Sequence, residues 1–174
     1  DHQRLELGFR DLVELRFVKA FVDAGLGLLA IRNYLQTARE LLKESHPLST
    51  QKFQTDGKTI FLESISRSGD VEVLDLKSKQ YVIHSAIERT FKDLDVGQDQ
   101  VLRWRPYKGR SSIVIDPERS FGQPIVAAGG VPTVVIAQAF EAEGSAERVS
   151  RLYEVPLSAV RDAVGFEQTL QAAA

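Results

Sequence analysis

The densest cluster of side chains that could do chemistry is a basic run at 103–110, with the sequence Arg-Trp-Arg-Pro-Tyr-Lys-Gly-Arg. Two aromatic residues interrupt its four cations, which are Arg103, Arg105, Lys108 and Arg110. Basic residues interleaved with aromatic ones are typical of surfaces that bind nucleic acid or an acidic protein partner. The alternation of a strand offers another interpretation, in which Trp104 points into the core and its neighbours point outward. The two interpretations are compatible, because outward arginines would still be available to a partner.

A second group of candidate site residues lies near the C-terminus, where a short helix, a tight turn and a final helix follow one another. Ser145 is a good N-cap for the short helix, which ends near Tyr153, and Glu-Val-Pro makes the turn. This spacing is that of a helix-turn-helix, whose second helix reads a DNA groove while the first contacts phosphates. The candidate DNA-binding residues are Arg148, Arg151, Ser158 and Arg161. The alternative is a small helical domain for dimerisation or partner binding, and the eight acidic against four basic residues of 111–174 support it.

No catalytic or metal-binding constellation accompanies these residues. The chain has no cysteine, which excludes a disulfide framework, a thiolate metal site and a cysteine nucleophile. None of its three histidines has a partner at metal-ligand spacing. The Gly-Gly-Val-Pro at 129–132 lacks the Lys-Ser/Thr of a phosphate loop, and the alternating Asp93, Asp95 and Asp99 lack the glycine and distal glutamate of a calcium loop. We therefore expect a protein that is not an enzyme and that holds no metal or cofactor.

The length and charge of the chain limit the classes of protein to which it can belong. With 174 residues, of which 43% are hydrophobic and 26% charged, the chain suits one domain or two small ones. A net charge of −2 gives no general attraction to nucleic acid. The absence of a long apolar run and of a signal peptide predicts a cytoplasmic protein with no membrane partner. Because the sequence begins with Asp and contains no Met, we expect further residues upstream.

The N-terminal elements that should position these groups are two helices. Apolar residues recur every four positions over 9–24, and a second apolar stripe covers 28–43. Gly25 suits the C-terminal cap of the first helix, and the Gly-Leu-Gly break predicts a tight helix pair. Pro47 ends the second helix.

The middle of the chain has the pattern of a small antiparallel sheet. Asp56-Gly57 between two apolar runs predicts a β-hairpin, followed by a loop at 64–70 and a strand at 71–76. Ser78 could cap a helix over 79–91. Further strands are predicted at 101–105 and 112–115, and a helix over 134–143 follows a segment rich in Pro and Gly. The predicted class is α+β, with an N-terminal helix pair and small antiparallel sheet at 1–110 and a small helical, helix-turn-helix-like domain at 111–174.

Residues 12–32 resemble the second helix pair of MerR-type regulators. The shared pattern is an apolar helix, Ala-x-Gly or similar, and Leu-x-x-Ile-Arg, represented here by Ala24-Gly25, Leu28 and Ile31-Arg32. Family members commonly have Ser before that Leu, whereas this chain has Gly27. The resemblance implies a DNA-reading helix upstream of the pair, which this sequence does not include.

Residues 113–164 are similar to the small helical domain of VapB-type antitoxins. They share Ile-x-Ile-Asp-Pro, then Gly-x-Pro, a small-residue turn with Val-Pro, Glu-Gly-Ser, and a Tyr-containing turn into a final helix. Most family members have Gly-Thr-Arg before the Ile/Val-Pro, whereas this chain has Ala128-Gly129-Gly130 and so lacks that arginine. The hairpin and the Arg-Trp-Arg-Pro segment also look like those of the larger, two-part VapB antitoxins.

The resemblance implies the antitoxin of a toxin–antitoxin pair, which binds a PIN-domain ribonuclease toxin and its own operator DNA. The acidic last segment implies that operator binding needs a homodimer. PIN active sites cluster carboxylates, which arginine forks match, so Arg103, Arg105 and Arg110 are the candidate toxin-binding residues. The alternative is a stand-alone DNA-binding transcription regulator.

Overall fold

The computed structural model describes residues 6–69 and 73–174, with side chains described for 6–69 and 79–174. The chain forms two compact units. The first comprises Asp1–Lys92 and Val96–Val101, and the second comprises Asp93–Asp95 and Leu102–Ala174.

The two predicted N-terminal helices are confirmed. Helix α1 covers Phe9–Asp23 and helix α2 covers Leu28–Leu42. Gly25 separates them with a φ of 89°, a left-handed conformation that glycine adopts without strain. The Asp11 carboxylate accepts a hydrogen bond of 2.8 Å from the Gly8 N–H, which satisfies one of the free donors at the start of α1.

The predicted hairpin at Asp56-Gly57 is wrong, because this segment lies in the middle of helix α3, Gln51–Ser68. Thr50 caps the helix by accepting a hydrogen bond from the Phe53 N–H. The apolar residues Phe53, Ile60 and Phe61 are buried at helical spacing, which outweighs the local turn preference of Asp-Gly. The predicted loop at 64–70 is also helical as far as Ser68, and the helix ends at Gly69 with a φ of 70°.

Helix α4 covers Val73–Phe91, so the helix predicted over 79–91 is confirmed but begins earlier. The predicted strand at 71–76 is wrong for residues 73–76, which belong to α4, and residues 71–72 lie outside the described part of the chain. Ser78 is inside the helix and is not its N-cap.

The first unit is built around an aromatic core. In it α2 packs against α3, α3 against α4, and α4 against α1. The rings of Phe17, Phe53 and Phe91 contact one another, and Tyr34 joins them through Phe53. The Tyr34 hydroxyl donates a hydrogen bond of 2.6 Å to the Gly57 carbonyl, so its one polar group is satisfied in the core.

A four-stranded sheet follows α4, with the strand order β1-β2-β3-β4. Its strands are β1 Leu94–Val96, β2 Val101–Trp104, β3 Ile113–Ile115 and β4 Pro124–Val126. Trp104 on β2 is paired with Ile115 on β3, and β3 and β4 are antiparallel over three residue pairs. The strands predicted at 101–105 and 112–115 are confirmed as β2 and β3, whereas the sequence pattern does not predict β1 and β4.

Three helices complete the second unit, and the α+β class is confirmed. They are α5 Thr133–Glu143, α6 Ala146–Tyr153 and α7 Leu157–Ala173. Helix α7 packs against both α5 and α6. The core between these helices and the sheet is formed by Ile113, Val126, Ile136, Val149, Val160 and Phe166. No helix in the described part of the chain is long and apolar enough to cross a bilayer.

Candidate functional site

The first two arginines of the basic run lie on and just after β2, opposite Asp95 of β1. The Arg105 N–H donates to the Asp93 carbonyl at 2.8 Å, which holds the two chain segments side by side. The Asp95 carboxylate then lies 3.5 Å from Nε of Arg103 and 3.2 Å from Nε of Arg105. The Asp95 carboxylate therefore faces both arginines.

Trp104 is half-buried and is attached to the strand by a polar contact. Its indole Nε1 donates a hydrogen bond of 3.1 Å to the Asp93 carboxylate. The interpretation that Trp104 points into the core is therefore only partly met, because the ring is half-buried and its polar edge contacts Asp93.

The end of the basic run is clamped onto helix α7. Nη1 of Arg110 lies 2.5 Å from the Asp162 carboxylate, whose other oxygen accepts a hydrogen bond of 2.6 Å from Ser112 Oγ. The Tyr107 ring packs edge-on against Phe166, and a Cβ on Gly165 would lie only 2.5 Å from the Tyr107 hydroxyl oxygen. Glycine at 165 is thus required for this approach of the turn to the helix.

The basic run has no acid in sequence, but the fold brings carboxylates to it from both sides. Arg105 is the most buried of the three predicted toxin-binding residues, with 25% of its side chain exposed and a hydrogen bond of 3.0 Å from its Nη1 to the Gly109 carbonyl. Arg110 is held by Asp162, whose side chain is only 11% exposed. The Arg110 side chain is nevertheless 56% exposed, so part of its guanidinium faces solvent. Arg103 is 42% exposed and its ion pair is long, which makes it the arginine most easily redirected to a partner.

The predicted DNA-binding residues are brought together on the exposed surfaces of α6 and α7. Ser145 accepts a hydrogen bond from the Arg148 N–H, so it caps α6 as predicted. All four side chains are exposed: Arg148, Arg151, Ser158 and Arg161. Nη2 of Arg161 lies 3.5 Å from Glu147, which links the first turns of the two helices, and Arg148 lies 3.9 Å from Glu143. Any phosphate would have to compete with these carboxylates.

The carboxylate of Glu147 is held in its charged form at the start of α6. Hydrogen bonds from its own backbone N–H and from Ser145 lower the pKa of Glu147, and the nearby Arg161 and Arg151 lower it further. A negative charge in the first turn also interacts favourably with the helix dipole. Negative charge at this position stabilises the helix and weakens the surface as a DNA-binding one.

Arg119 is a site residue that the sequence analysis did not single out. Its Nη2 donates a hydrogen bond of 3.2 Å to the Ala127 carbonyl, and a Cβ on Gly130 would lie 3.0 Å from the same atom. Gly130 lies at the position where the resemblance to VapB-type antitoxins leads us to expect arginine. In this chain the guanidinium of Arg119 comes from the preceding loop and lies over that position.

The part of the chain that the structure describes contains no group of three or more residues that could hold a metal ion. Its surface has shallow grooves. One groove lies between α1 and α4 and is lined by charged and small residues, which are Arg16, Lys19, Ala20, Asp23, Ala24, Ala86, Arg89 and Thr90. Another, on the second unit, is lined by Glu143, Arg148, Arg151 and Leu152. The groove on the second unit is suited to contacts with a macromolecule rather than to enclosing a small substrate.

Comparison with known proteins finds similarity along nearly the whole chain. The chain is 28% identical over 175 residues to a protein of Mycobacterium tuberculosis (strain H37Rv) named "Putative antitoxin VapB45", and the match covers 94% of this chain and 71% of that protein. The crystal structure of Rv2018 from Mycobacterium tuberculosis has the same fold, with a TM-score of 0.72 at 22% identity over 91% of this chain and 78% of that one. No family model matches the chain.

Proposed function

We propose that this chain is a non-catalytic antitoxin that silences a ribonuclease toxin by binding it directly. The observation that carries the proposal is the similarity to the M. tuberculosis protein named as an antitoxin, which extends over 94% of the chain and so includes both compact units. The surface of the second unit, with arginines held on a strand and shallow grooves between helices, is consistent with a protein that works by contact.

The toxin in this proposal is a PIN-domain ribonuclease, whose active site is a cluster of carboxylates. The antitoxin surface is formed by Arg103, Arg105 and Arg110. On binding, Arg103 and Arg105 release Asp95 and form ion pairs with carboxylates of the toxin. Asp162 fixes the position of Arg110, and the exposed part of the Arg110 guanidinium donates further hydrogen bonds to the toxin. Trp104 and Tyr107 keep the strand and turn rigid, so little side-chain entropy is lost when the partner binds.

Operator binding is the second part of the proposal, and it requires a dimer. The surface of α6 and α7 offers Arg148 to phosphates and Ser158 and Arg161 to base edges, but Glu143 and Glu147 offset two of these cations. A single copy therefore has too little free positive charge to hold a duplex. Two copies double the phosphate contacts and match the symmetry of a palindromic site.

Co-expression with the ribonuclease encoded by the neighbouring gene tests the proposal. We expect the tagged chain to retain the ribonuclease through purification and to abolish its cleavage of RNA at equimolar ratio. Arg105→Ala should weaken the complex by about 2–5 kcal/mol, much of it from the toxin carboxylate left unpaired. Lys19→Ala is the matched control, because Lys19 is an exposed cation of the first unit paired only with Asp23 in the described structure, and it should leave affinity unchanged.

Two results would contradict parts of this proposal. A chain that binds no ribonuclease but binds its upstream DNA tightly would instead support a stand-alone transcription regulator. Unchanged toxin affinity in both Arg105→Ala and Arg110→Ala, measured by calorimetry, would remove the basic run from the interface while leaving the antitoxin function intact.

A further inference from the structure

A groove between helices α2 and α3 of the first unit is lined by polar side chains. It has a volume of about 200 Å³. Its wall on α2 is one face of the helix and consists of Asn33, Gln36, Thr37 and Glu40. The facing wall is the C-terminal end of α3. The facing sides of two packed helices are normally apolar, so core packing does not account for this polar contact.

Two hydroxyl groups on opposite walls of the groove lack a hydrogen-bond partner. Thr37 of α2 is 5% exposed and Ser64 of α3 is 4% exposed. Neither hydroxyl forms a hydrogen bond with another residue of the described chain. By contrast, the hydroxyls of Thr55 and Ser68, also on α3, donate to carbonyls of their own helix. Because buried polar groups are nearly always paired, the two hydroxyls indicate that the groove holds hydrogen-bonding molecules.

The charged groups at the border of the groove neutralise one another. The Glu40 carboxylate accepts hydrogen bonds of 3.2 Å from Gln36 Nε2 and 2.9 Å from Arg67 Nη1. Nε of Arg67 also donates to the Glu63 carboxylate at 2.9 Å. A phosphate would have to compete with two glutamates for Arg67, and a metal ion would have to approach a carboxylate that already carries a cation. The ligand that suits the groove is therefore neutral.

The pattern of donors and acceptors favours a ligand with several hydroxyl groups. A hydroxyl both donates and accepts, which is what the free Thr37 and Ser64 hydroxyls require, and the Asn33 carboxamide adds both functions. Among the described residues, no aromatic or aliphatic side chain lines the groove, so a nucleobase would have nothing to stack on. The volume is that of about seven water molecules at about 30 Å³ each, which suits a monosaccharide better than a drug-sized ligand.

We infer that the groove between α2 and α3 binds a small neutral polyhydroxyl compound of monosaccharide size, held by the Thr37 and Ser64 hydroxyls from opposite walls. One such ligand replaces several ordered waters, and their release offsets part of the cost of immobilising it. The site belongs to the first unit, and its ligand is independent of toxin and operator binding.

Titration of the isotope-labelled chain with D-ribose, followed by heteronuclear NMR, tests the site. We expect saturable shifts of the amide signals of 33–40 and 64–68 with a Kd of about 1–10 mM, as the binding energy available to so small a ligand allows. Inorganic phosphate at the same concentrations should leave these signals in place, because Arg67 is already held by two glutamates.

Two conservative substitutions remove the hydroxyls without changing the shape of the groove. Thr37→Val and Ser64→Ala should each raise the Kd about five- to tenfold, because each removes one hydrogen bond to the ligand. Both variants should unfold at the wild-type temperature or above, since neither hydroxyl has a partner among the described residues. Thr55→Val is the matched control and should keep the wild-type Kd, because Thr55 is exposed on α3 outside the groove.

Three results would overturn the inference. The first is a set of shifts that grow linearly with ribose and spread over both units, which would mean that water alone fills the groove. The second is a saturable site whose Kd is the same in Thr37→Val, Ser64→Ala and the wild type. The third is a site that phosphate occupies in preference to ribose, which would make it an anion site.

Discussion

At the scale of single residues, the ion pair between Arg110 and Asp162 determines how the basic run is presented. The carboxylate is nearly buried and has two partners, Arg110 and Ser112, whereas more than half of the Arg110 side chain faces solvent. A buried charge that loses its partner is costly, whereas removal of both charges is often tolerated. Arg110 therefore has a structural role in addition to the proposed contact with a toxin.

A double-mutant cycle separates these two roles. We expect Arg110→Ala to lower the free energy of unfolding by about 1–3 kcal/mol, because Asp162 is left without its cation. Asp162→Ala in the Arg110→Ala background should recover part of that loss. Chemical denaturation measures both effects. If Arg110→Ala changes toxin affinity but not unfolding, the clamp onto α7 does not contribute to stability and our reading of the pair is wrong.

A second residue-scale effect concerns acid stability in the first unit. The Gly8 N–H, and then His46 at 2.9 Å, lower the pKa of the Asp11 carboxyl below its ordinary value. The folded chain therefore binds this proton less readily than the unfolded chain does. The stabilisation is fully present above the unfolded pKa of about 4 and is lost as the pH falls through the lower, folded value.

We accordingly expect Asp11→Asn to unfold more easily than the wild type at pH 7 and to match it in strong acid. Urea unfolding at a series of pH values from 7 into the acid range measures this difference, which should close as the carboxyl of the folded chain becomes protonated. The exposed Asp56→Asn serves as a control for general loss of a carboxylate. A deficit that persists unchanged in acid would mean that the Asp11 charge is not what stabilises the start of α1.

At the scale of elements, Asp56-Gly57 illustrates how a strong local signal is overridden. In α3 the glycine allows close packing, because a Cβ on Gly57 would lie 2.9 Å from the tip of the Ile87 side chain of α4, which would have to shift, and 3.3 Å from the Phe53 ring. Its carbonyl also accepts the hydrogen bond of the buried Tyr34 hydroxyl. The same two residues that favour a type I′ turn in an isolated segment therefore allow two helices and a tyrosine to pack closely.

Substitutions at these two positions distinguish a helix from a hairpin. Asp56 is exposed, so Asp56→Ala should raise the free energy of unfolding by a few tenths of a kcal/mol through helix propensity, whereas in a hairpin the same change would destabilise the turn. Gly57→Val should lower it by about 1–3 kcal/mol by overpacking against Ile87. Thermal unfolding followed by far-ultraviolet circular dichroism measures both. Destabilisation by Asp56→Ala would contradict the helix.

The elements that the sequence predicts well are those in which the apolar spacing and the capping residues indicate the same start and end. Helix α1 has a continuous apolar stripe that ends before Gly25, α2 begins after Gly27, and α6 has Ser145 at its N-cap, so these bounds follow closely from the sequence. The C-terminal cap of α2 is Lys43, which gives no such signal. Strand β3 is as short as β1 and β4, but its three residues are all apolar and buried, and the sequence therefore predicts it. Strands β1 and β4 contain Asp95 and Pro124, and they pair with β2 and β3. Similarly, the basic run is visible in the sequence, but its facing acids at Asp95 and Asp162 come from β1 and α7.

At the scale of the whole molecule, the net charge of −2 and the local ion pairs determine how strongly the chain can bind nucleic acid. Phosphate contacts release counterions, and each one adds about −0.9 to the slope of log binding constant against log salt concentration. Each copy offers few cations, and Arg161 and Arg148 have Glu147 and Glu143 as neighbours. We therefore expect a shallow salt dependence and operator binding only by the dimer.

Fluorescence anisotropy with a labelled duplex from the upstream region, titrated from about 50 to 200 mM salt, tests this expectation. Arg148→Ala should weaken binding to all sequences and reduce the slope by about one for each copy bound, because it removes a phosphate contact. Arg161→Ala should instead reduce the preference for operator over unrelated DNA, because Arg161 is, with Ser158, an exposed residue in the part of α7 that would enter a groove. Lys19→Ala, on the first unit, should alter neither quantity. Two results would show that α6 and α7 are not the DNA-binding element. One is a monomer that binds operator as tightly as the dimer, and the other is that neither substitution changes the salt slope or the preference for operator. The exposed surface of α6 and α7 would then be available only for binding proteins.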